Sequence, residues 1–304
     1  YFILALFGVF AYRAVFHNYL NDKKKKYLLH LFFIITTLAT LSGIVAVYTG
    51  FNFLKWREAC HPDRACGLYG MYMTYGYGIG LFMVLLTGVL IYRRNFSRII
   101  STKYILIIWM INFLGLFFSF CRGAWIGFII SIPFFFFKKN RKLFYMCFII
   151  MGIIVPLSFF STKIQETFLK PNRIQSVQER FFLWQAALKA FQESPFLGKG
   201  YLNFEGQSTR IKKDYNIPSQ KFSGHAHNNY MEFLASTGLI GFLMLFLFHI
   251  FWFLEMFKRD DLLANITAPF VIAFFISGLF QYTFGDGENL FLIMAVWSLS
   301  QMDQ

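Results

Sequence analysis

The sequence predicts an all-α fold: a polytopic membrane helix bundle with one large loop between two late helices. Of its 304 residues, 57% are hydrophobic and 21% are aromatic, which exceeds the content of ordinary soluble domains. These residues form repeated runs close to the length of about 20 residues that a membrane-spanning helix needs. Lysine and arginine are concentrated between the runs, as they are in the cytoplasmic loops of membrane proteins.

Each apolar run is predicted to form a helix that spans or nearly spans the bilayer. No positively charged segment precedes the first run, so it is not expected to be a signal peptide, and we expect further membrane helices before it. A tight turn at residues 119–123 divides what is otherwise one overlong run. The nine runs cover residues 1–16, 28–50, 70–92, 104–120, 122–137, 143–160, 228–257, 266–284 and 288–300.

Four basic blocks fall on one face of this predicted bundle when the turn at 119–123 separates two helices. The positive-inside rule makes that face cytoplasmic and accounts for the net charge of +14. Binding to nucleic acid is not predicted, because no basic stretch alternates with stacking aromatics in a soluble domain. The blocks are Lys23 to Lys26; Arg93, Arg94, Arg98 and Lys103; Lys138, Lys139, Arg141 and Lys142; and Lys258 with Arg259.

The opposite, outer face would be periplasmic in a bacterium. It carries the loop 51–69, the turn at Arg122, the long loop 161–227 and the turn 285–288. The predicted organisation is therefore membrane helices over 1–160, a loop domain over 161–227 and membrane helices over 228–304. Two cysteines, Cys60 and Cys66, lie in the first outer loop, where a disulfide and two free thiols are equally compatible with the sequence.

The loop 161–227 is the one part long enough to form a small domain outside the bilayer. Apolar residues at helical spacing predict an amphipathic helix over 180–191, ended by Ser194 and Pro195. Lys199 follows between two glycines. This pattern is typical of a plain turn and also compatible with a phosphate-binding nest.

Three residues are candidates for chemistry, each with a structural alternative. Arg122 either binds an anion or extends towards lipid headgroups. Arg180 is either a solvated arginine or a ligand for phosphate oxygens. His227 is either a structural hydrogen-bonding residue or a proton-transfer group. With His225 and Asn228 it stands where an apolar helix begins, and backbone N–H groups there favour anions.

The predicted topology brings Arg122, Arg180 and His227 to the outer face. Two fixed cations and an imidazole beside a bilayer suit a substrate with a lipid tail and a pyrophosphate head. Because the arginines can supply the electrostatic stabilisation, we expect no metal ion and no cofactor. The outer face contains no acidic pair of the DxD type, and no Cys/His spacing indicates zinc.

The ordered set of motifs over roughly residues 104–245 resembles the O-antigen ligase/O-antigen polymerase superfamily of bacterial envelope glycosyltransferases. His227 and Gly238, ten residues apart, look like the family's His-x10-Gly motif. The quoted segments are Ser119-Phe120-Cys121-Arg122-Gly123-Ala124-Trp125; Arg180 with Trp184, Ala187 and Leu188; Ser194-Pro195-Phe196-Leu197-Gly198-Lys199-Gly200; His225-Ala226-His227-Asn228-Asn229-Tyr230; and Gly238-Leu239-Ile240-Gly241.

The resemblance implies a GT-C-like bundle with a large periplasmic loop, located in the inner membrane with its active site facing the periplasm. Such enzymes transfer a glycan from an undecaprenyl-diphosphate carrier to an acceptor glycolipid or glycan. Carried over, the catalytic residues are Arg122, Arg180 and His227. We expect His225, Asn228 and Lys199 to bind substrate. One departure concerns the ligase motif Arg-x3-Leu, because Leu183 comes one position early and Trp184 takes its place.

Several functions fit these motifs. Within the superfamily, the acceptor is lipid A–core in ligases, a second carrier-linked glycan in polymerases, or a protein hydroxyl in O-oligosaccharyltransferases. A transporter or flippase of lipid-linked anions could hold phosphate with the same arginines. Transporters, however, place charged groups near the bilayer midplane between paired interrupted helices. A structural membrane subunit leaves the histidine and asparagine cluster unexplained.

Overall fold

A computed structural model of the chain describes residues 22–97, 100–159, 171–218 and 224–301. The predicted helix over 1–16, the basic residue Arg98 and parts of the loop 161–227 lie outside these ranges. Within them the chain forms eleven α-helices and one antiparallel two-stranded ladder. The elements are α1 (Asp22–Thr49), β1 (Phe51–Asn52), β2 (Arg57–Glu58), α2 (Tyr72–Ile91), α3 (Arg93–Phe96), α4 (Thr102–Ser119), α5 (Arg122–Ser131), α6 (Arg141–Phe159), α7 (Pro171–Glu193), α8 (Asn203–Asp214), α9 (Asn229–Lys258), α10 (Leu262–Gly278) and α11 (Gly287–Ser300).

The all-α fold class is confirmed by these elements. Three segments are long and apolar enough to cross a membrane: Leu29–Thr49, Tyr72–Ile91 and Asn229–Lys258. Helices α4, α5 and α10 are apolar but shorter. The complete polytopic bundle and the periplasmic position of the loop 161–227 stay predictions.

Two compact units make up the described chain. Unit 1 contains the described residues up to Phe135, then Trp252–Ser277 and the described residues from Thr283 onwards. Unit 2 contains Phe136–Phe251 and Gly278–Tyr282. Arg122 therefore belongs to unit 1, whereas the other predicted site residues belong to unit 2.

Helix α2 is the packing centre of unit 1, because its glycines let neighbouring helices approach closely. A methyl group on Gly80 would lie 3.3 Å from the Ala124 side chain of α5. A methyl group on Gly88 would lie 2.7 Å from Ile266 of α10. Membrane helices use small residues in this way, since van der Waals packing rather than the hydrophobic effect holds them together in lipid.

A buried polar cluster joins α1 to α4 in the same unit. Thr40 Oγ1 donates to Asn112 Oδ1 at 2.8 Å, and Asn112 Nδ2 donates to Thr37 Oγ1 at 3.2 Å. Hydrogen bonds between side chains of apolar helices satisfy groups that would be costly to leave unpaired. The cluster therefore specifies how these two helices align.

The predicted outer segments of unit 1 lie at one end of α2, and Phe135 lies at the other end. At one end, the N–H of Ala65 in the loop 51–69 donates to Phe118 O at 2.9 Å, beside the turn that precedes Arg122. At that end Thr74 Oγ1 also donates to Asp286 Oδ1 at 3.1 Å. At the other end, the Tyr92 hydroxyl donates to Phe135 O at 3.2 Å. The side of the membrane that each end faces stays a prediction.

Unit 2 is built around α7, α8 and the first turns of α9. Small residues on one face of α7 let α8 pack against it, and this core is completed by residues from the turn before α9 and from α9 itself. The buried cluster comprises Ala186, Ala187, Ala190, Phe204, Ile211, Ala226 and Ala235.

The structure corrects three sequence-based boundaries. Helix α7 begins at Pro171, so Arg180 lies within the helix and does not open it. Helix α9 is not continuous, because Gly238 has φ 65° and ψ −163°. Helix α10 ends at Gly278, although apolar residues continue to Phe284. Side chains from elsewhere in unit 2 bind the backbone carbonyls that follow Gly278, and this replaces further helical turns.

Candidate functional site

The turn that precedes α9 brings two histidine rings together. His227 adopts the left-handed conformation with φ 47°, which is uncommon for a residue with a side chain. Its N–H donates to His225 Nδ1 at 3.2 Å, and the two ring centroids are 4.3 Å apart. Because His225 Nδ1 accepts, the ring proton of a neutral His225 lies on Nε2. Strained backbone of this kind is often found at functional sites.

The imidazole of His227 is held in one tautomer by a neighbouring amide. Its Nδ1 lies 2.8 Å from Gln281 Oε1, so Nδ1 carries the proton and Nε2 is left as the proton acceptor. Burial lowers the pKa of His227, the Gln281 hydrogen bond partly opposes this change, and the positive charge of Arg180 lowers the pKa further. His227 is therefore neutral near pH 7 and able to accept a proton.

His225 is also difficult to protonate. Burial lowers its pKa to about 3, with further contributions from His227 and from the Arg180 guanidinium. A neutral pair of imidazoles beside an arginine gives the site one fixed positive charge. That positive charge suits a phosphate ligand. Neither ring adds a second positive charge, because both imidazoles are neutral.

Arg180 is attached to the same short segment as His227. Its Nη1 donates to Phe280 O at 3.2 Å, and Phe280 directly precedes the Gln281 that holds His227. A guanidinium has five N–H donors. Within the part of the chain that the structure describes, this contact uses one of them, and the others are available to an anion. The segment 279–282 thus brings the predicted cation and the predicted imidazole into one site.

The residues of this segment were not predicted from the sequence. The sequence places them in the helix predicted over 266–284, because the segment is largely apolar. Gln281 is the residue that could have indicated the site, because a carboxamide is unusual in an apolar run. In the structure Gln281 is 1% exposed. Tyr282 also belongs to the site, since its ring centroid lies 5.7 Å from that of His225.

Asn228 directly precedes α9 and joins it to the same segment. Its Oδ1 accepts from the N–H of Tyr230 at 2.8 Å and of Met231 at 3.0 Å, which makes it the cap of α9. Its Nδ2 donates to Leu279 O at 3.0 Å. The structure thus shows Asn228 supporting the site, and a role in substrate binding stays a prediction.

Trp184, which replaces the expected leucine of the ligase motif, also contacts the histidine turn. Its indole N–H donates to Ala226 O at 2.8 Å, between the two histidines. A leucine at this position would leave the buried carbonyl without that donor. The departure from the motif is therefore accompanied by a hydrogen bond that holds the turn against α7.

Glu232 is a further residue of the site, and the sequence motifs alone do not indicate it. Its side chain is 1% exposed, and its Oε2 accepts from the N–H of Ala226 at 2.7 Å. Its Oε1 accepts from Ser236 Oγ at 3.2 Å. Because Ala226 separates His225 from His227, this carboxylate fixes the backbone of the turn from the α9 side.

We expect Glu232→Ala to lower both stability and activity. The buried N–H of Ala226 would lose its acceptor, at a cost of about 1–3 kcal/mol, and the two histidines would lose their alignment. Glu232→Gln keeps an acceptor oxygen and should restore most of both properties. Thermal unfolding in detergent and initial transfer rates measure the two effects. An alanine variant with unchanged rate would contradict this positioning role.

The motif 194–200 is joined to α9 at the point where the helix is broken. The N–H of Leu239 donates to Pro195 O at 2.7 Å, and the N–H of Lys199 donates to Ala235 O at 2.9 Å. These bonds replace the helical bond between Leu239 and Ala235 that the unusual backbone of Gly238 removes. The two sequence motifs are therefore two halves of one structural element.

The side chain of Lys199 forms an ion pair with Glu193 at the end of α7. This ion pair lowers the pKa of the Glu193 carboxyl group, chiefly through the hydrogen bond from Lys199. The ammonium thus has a protein partner in this structure, and phosphate binding by Lys199 stays a prediction.

Arg122 lies in unit 1, as the first residue of α5. The turn before it is shaped by Phe120, which has a left-handed φ of 51°, and by Ser119 Oγ, which accepts from the N–H of Cys121 at 3.2 Å. The Trp125 indole donates to Leu116 O at 2.8 Å. A site shared by Arg122 with Arg180 and His227 stays a prediction.

Cys60 and Cys66 form a disulfide in the loop between α1 and α2. The sequence left this pairing open, and the structure decides it. The described residues contain no group of three or more His, Cys, Asp or Glu side chains arranged to hold a metal ion.

Comparison with known proteins matches the part of the chain that contains the predicted site residues. Residues 105–246, which include both arginines and both histidines of the predicted site, match the family model of the O-antigen ligases. An uncharacterized protein of Haemophilus influenzae is 28% identical over 183 residues, which cover 53% of this chain and 46% of the relative. The chain thus aligns with less than half of that relative's length. The family-model match agrees with the resemblance found in the sequence motifs.

Proposed function

We propose that this chain acts as a membrane glycosyltransferase that moves a glycan from an undecaprenyl-diphosphate carrier to an acceptor. The acceptor is lipid A–core or a growing carrier-linked glycan. The observation that carries the proposal is the attachment of Arg180 and His227 to consecutive residues, Phe280 and Gln281. Arg180 and His227 both lie within residues 105–246, the region that matches the O-antigen ligase family model. A fixed cation can stabilise a leaving diphosphate, and a neutral imidazole can accept the proton of an acceptor hydroxyl.

In the proposed reaction, the acceptor hydroxyl oxygen attacks the anomeric carbon of the glycan from the face opposite the diphosphate, with inversion. The new carbon–oxygen bond forms as the bond to the diphosphate breaks, and the bonding electrons leave with the diphosphate. Arg180 stabilises the charge that develops there. In one version Nε2 of His227 accepts the hydroxyl proton, and in the other it orients the donor.

The proposed location is the inner membrane, with the site facing the periplasm. The Cys60–Cys66 disulfide supports this orientation, because disulfides persist in oxidising compartments outside the cytoplasm. In unit 1 the disulfide loop lies at the end that carries the turn before Arg122. The basic residues Arg93 and Arg94 follow α2 at its opposite end, as the positive-inside rule requires.

A reconstituted transfer reaction tests the proposal. The purified chain in liposomes is supplied with an undecaprenyl-diphosphate-linked glycan and, in parallel reactions, with lipid A–core, a carrier-linked glycan or a protein as acceptor. We expect a new glycosidic product with one of the first two acceptors, also in the presence of a metal chelator. Product on the protein alone would assign an O-oligosaccharyltransferase. Translocation of unchanged substrate would assign a transporter.

A further inference from the structure

The segment Ser194–Gly200, referred to here as the docking loop, is bound to α9 through its backbone. Besides the bonds of Pro195 and Lys199, the N–H of Ile240 donates to Phe196 O at 3.4 Å. Two glycines meet at the contact, since a methyl group on Gly198 would lie 2.5 Å from the backbone N of Gly238. The docking loop is therefore held directly against a helix that is long and apolar enough to cross a membrane.

The position of this contact along α9 can be estimated from helix geometry. The part of α9 that follows Gly238, from Leu239 to Phe257, is continuously apolar apart from His249 and Glu255. At about 1.5 Å per residue it is roughly 28 Å long, close to the hydrocarbon thickness of about 30 Å. The kink at Gly238 therefore lies near one boundary of the hydrocarbon layer.

The docking loop exposes large apolar side chains on its surface. Phe196 is 67% exposed and Leu197 is 73% exposed. Beside them, Leu239 and Ile240 of α9 are 38% and 50% exposed. Exposed apolar side chains in a contiguous group indicate an interaction surface, because water would make such a group costly.

This group continues the outer surface of α9. Further along the helix, Leu243, Met244 and Phe251 are also exposed, as expected for the lipid-facing side of a membrane span. Backbone that is not helical is tolerated at this depth only when its polar groups are paired. The hydrogen bonds between the docking loop and α9 supply that pairing on both sides of Gly238.

We propose that the docking loop is immersed in the lipid bilayer, with Phe196 and Leu197 inserted among the acyl chains near the periplasmic boundary of the hydrocarbon layer. The partner is lipid hydrocarbon, and the surface is continuous with the lipid-facing side of α9. This insertion anchors the end of α7 to the membrane. The same helix carries Arg180, so the anchor sets the depth of the arginine relative to the lipid surface.

Site-directed spin labelling tests this inference without any measurement of activity. Leu197→Cys is labelled with a nitroxide, as are Met244→Cys, the lipid reference on α9, and Arg210→Cys, the water reference on α8, whose side chain is 81% exposed. The proteins are reconstituted in phosphatidylethanolamine/phosphatidylglycerol vesicles without reductant, which preserves the disulfide. Parent protein treated in the same way gives the background signal from Cys121 and Cys147.

We expect the nitroxide at Leu197 to collide often with oxygen and rarely with a water-soluble nickel complex. Its ratio of the two accessibilities should lie nearer to the value at Met244 than to the value at Arg210. A ratio equal to that at Arg210 would place the docking loop in water and overturn the proposal. Low accessibility to both reagents would overturn it as well, because protein rather than lipid would then cover Leu197. Neither outcome bears on glycan transfer, so this test is separate from that of the proposed function.

Discussion

Arg180→Ala is expected to lower the rate of glycan transfer by about 10²–10³-fold or more, the usual effect of removing one charge-stabilising donor from a transition state. The guanidinium would no longer face the leaving diphosphate, and Phe280 O would lose its donor. Arg180→Lys keeps the charge but not the planar fork, so we expect it to recover only a small part of the rate. Transfer assays on protein that has inserted into the membrane measure the effect.

Arg210 provides the matched control. It lies on α8 in the same unit and is largely exposed, and it pairs with Asp214 at a separation of 3.4 Å. Exposed pairs of this kind contribute about 0–1 kcal/mol, so Arg210→Ala should retain normal activity. Full activity in Arg180→Ala, or an equal loss in both variants, would contradict the assignment of Arg180 to the diphosphate.

His227→Ala should lower transfer to a similar extent. The pH dependence of the parent enzyme separates the two possible roles of His227, proton acceptance and orientation of the donor. The pKa of His227 is lowered by burial, so a base at this position stays competent below pH 6.5. If His227 accepts the proton, kcat/KM of the parent enzyme should fall only when the pH drops through that lowered pKa. An unchanged rate in His227→Ala would reject both roles.

Gly238→Ala is expected to give the largest loss of stability. The backbone at φ 65° and ψ −163° lies in a region that is essentially restricted to glycine, at a cost of about 1–3 kcal/mol for another residue. An added methyl group would also lie 2.7 Å from the backbone N of Leu197. The docking loop would have to leave α9, which would leave polar backbone groups unpaired beside lipid. We expect a lower unfolding temperature and loss of transfer.

The control substitution is Gly206→Ala on α8. No atom lies within 4 Å of the methyl group that it adds, and alanine favours a helix over glycine by up to about 1 kcal/mol. Its unfolding temperature should be equal or higher. Gly198→Ala, on the other side of the same contact, should reproduce the Gly238→Ala defect. A stable and active Gly238→Ala protein would show that the docking loop is not needed.

The sequence was most informative where a local pattern determines structure. Runs of apolar residues predicted α2 and α4 within about two residues at each end, and α1 and α5 within about six, because a membrane helix satisfies all its backbone hydrogen bonds internally. The tight turn before Arg122 was also predicted correctly. The motifs indicated Arg180 and His227 as candidates, because costly polar groups beside apolar runs are conspicuous in a sequence.

The tertiary structure decided what depends on distant residues. No local pattern shows that Phe280 and Gln281 leave the helix to hold Arg180 and His227, since both residues read as part of an apolar run. Nor does hydropathy show that α9 breaks at Gly238, because the docking loop that pairs with the break is far away in the chain.

By itself, then, the sequence determined the apolar helical character, the family resemblance and the principal candidate residues, because hydrophobicity and residue type are properties of each position. Only the folded chain decided how Arg180 and His227 are held and how Gly238 meets Gly198. Those features arise from hydrogen bonds between segments that are separated in sequence, and such bonds exist only once the segments have packed together.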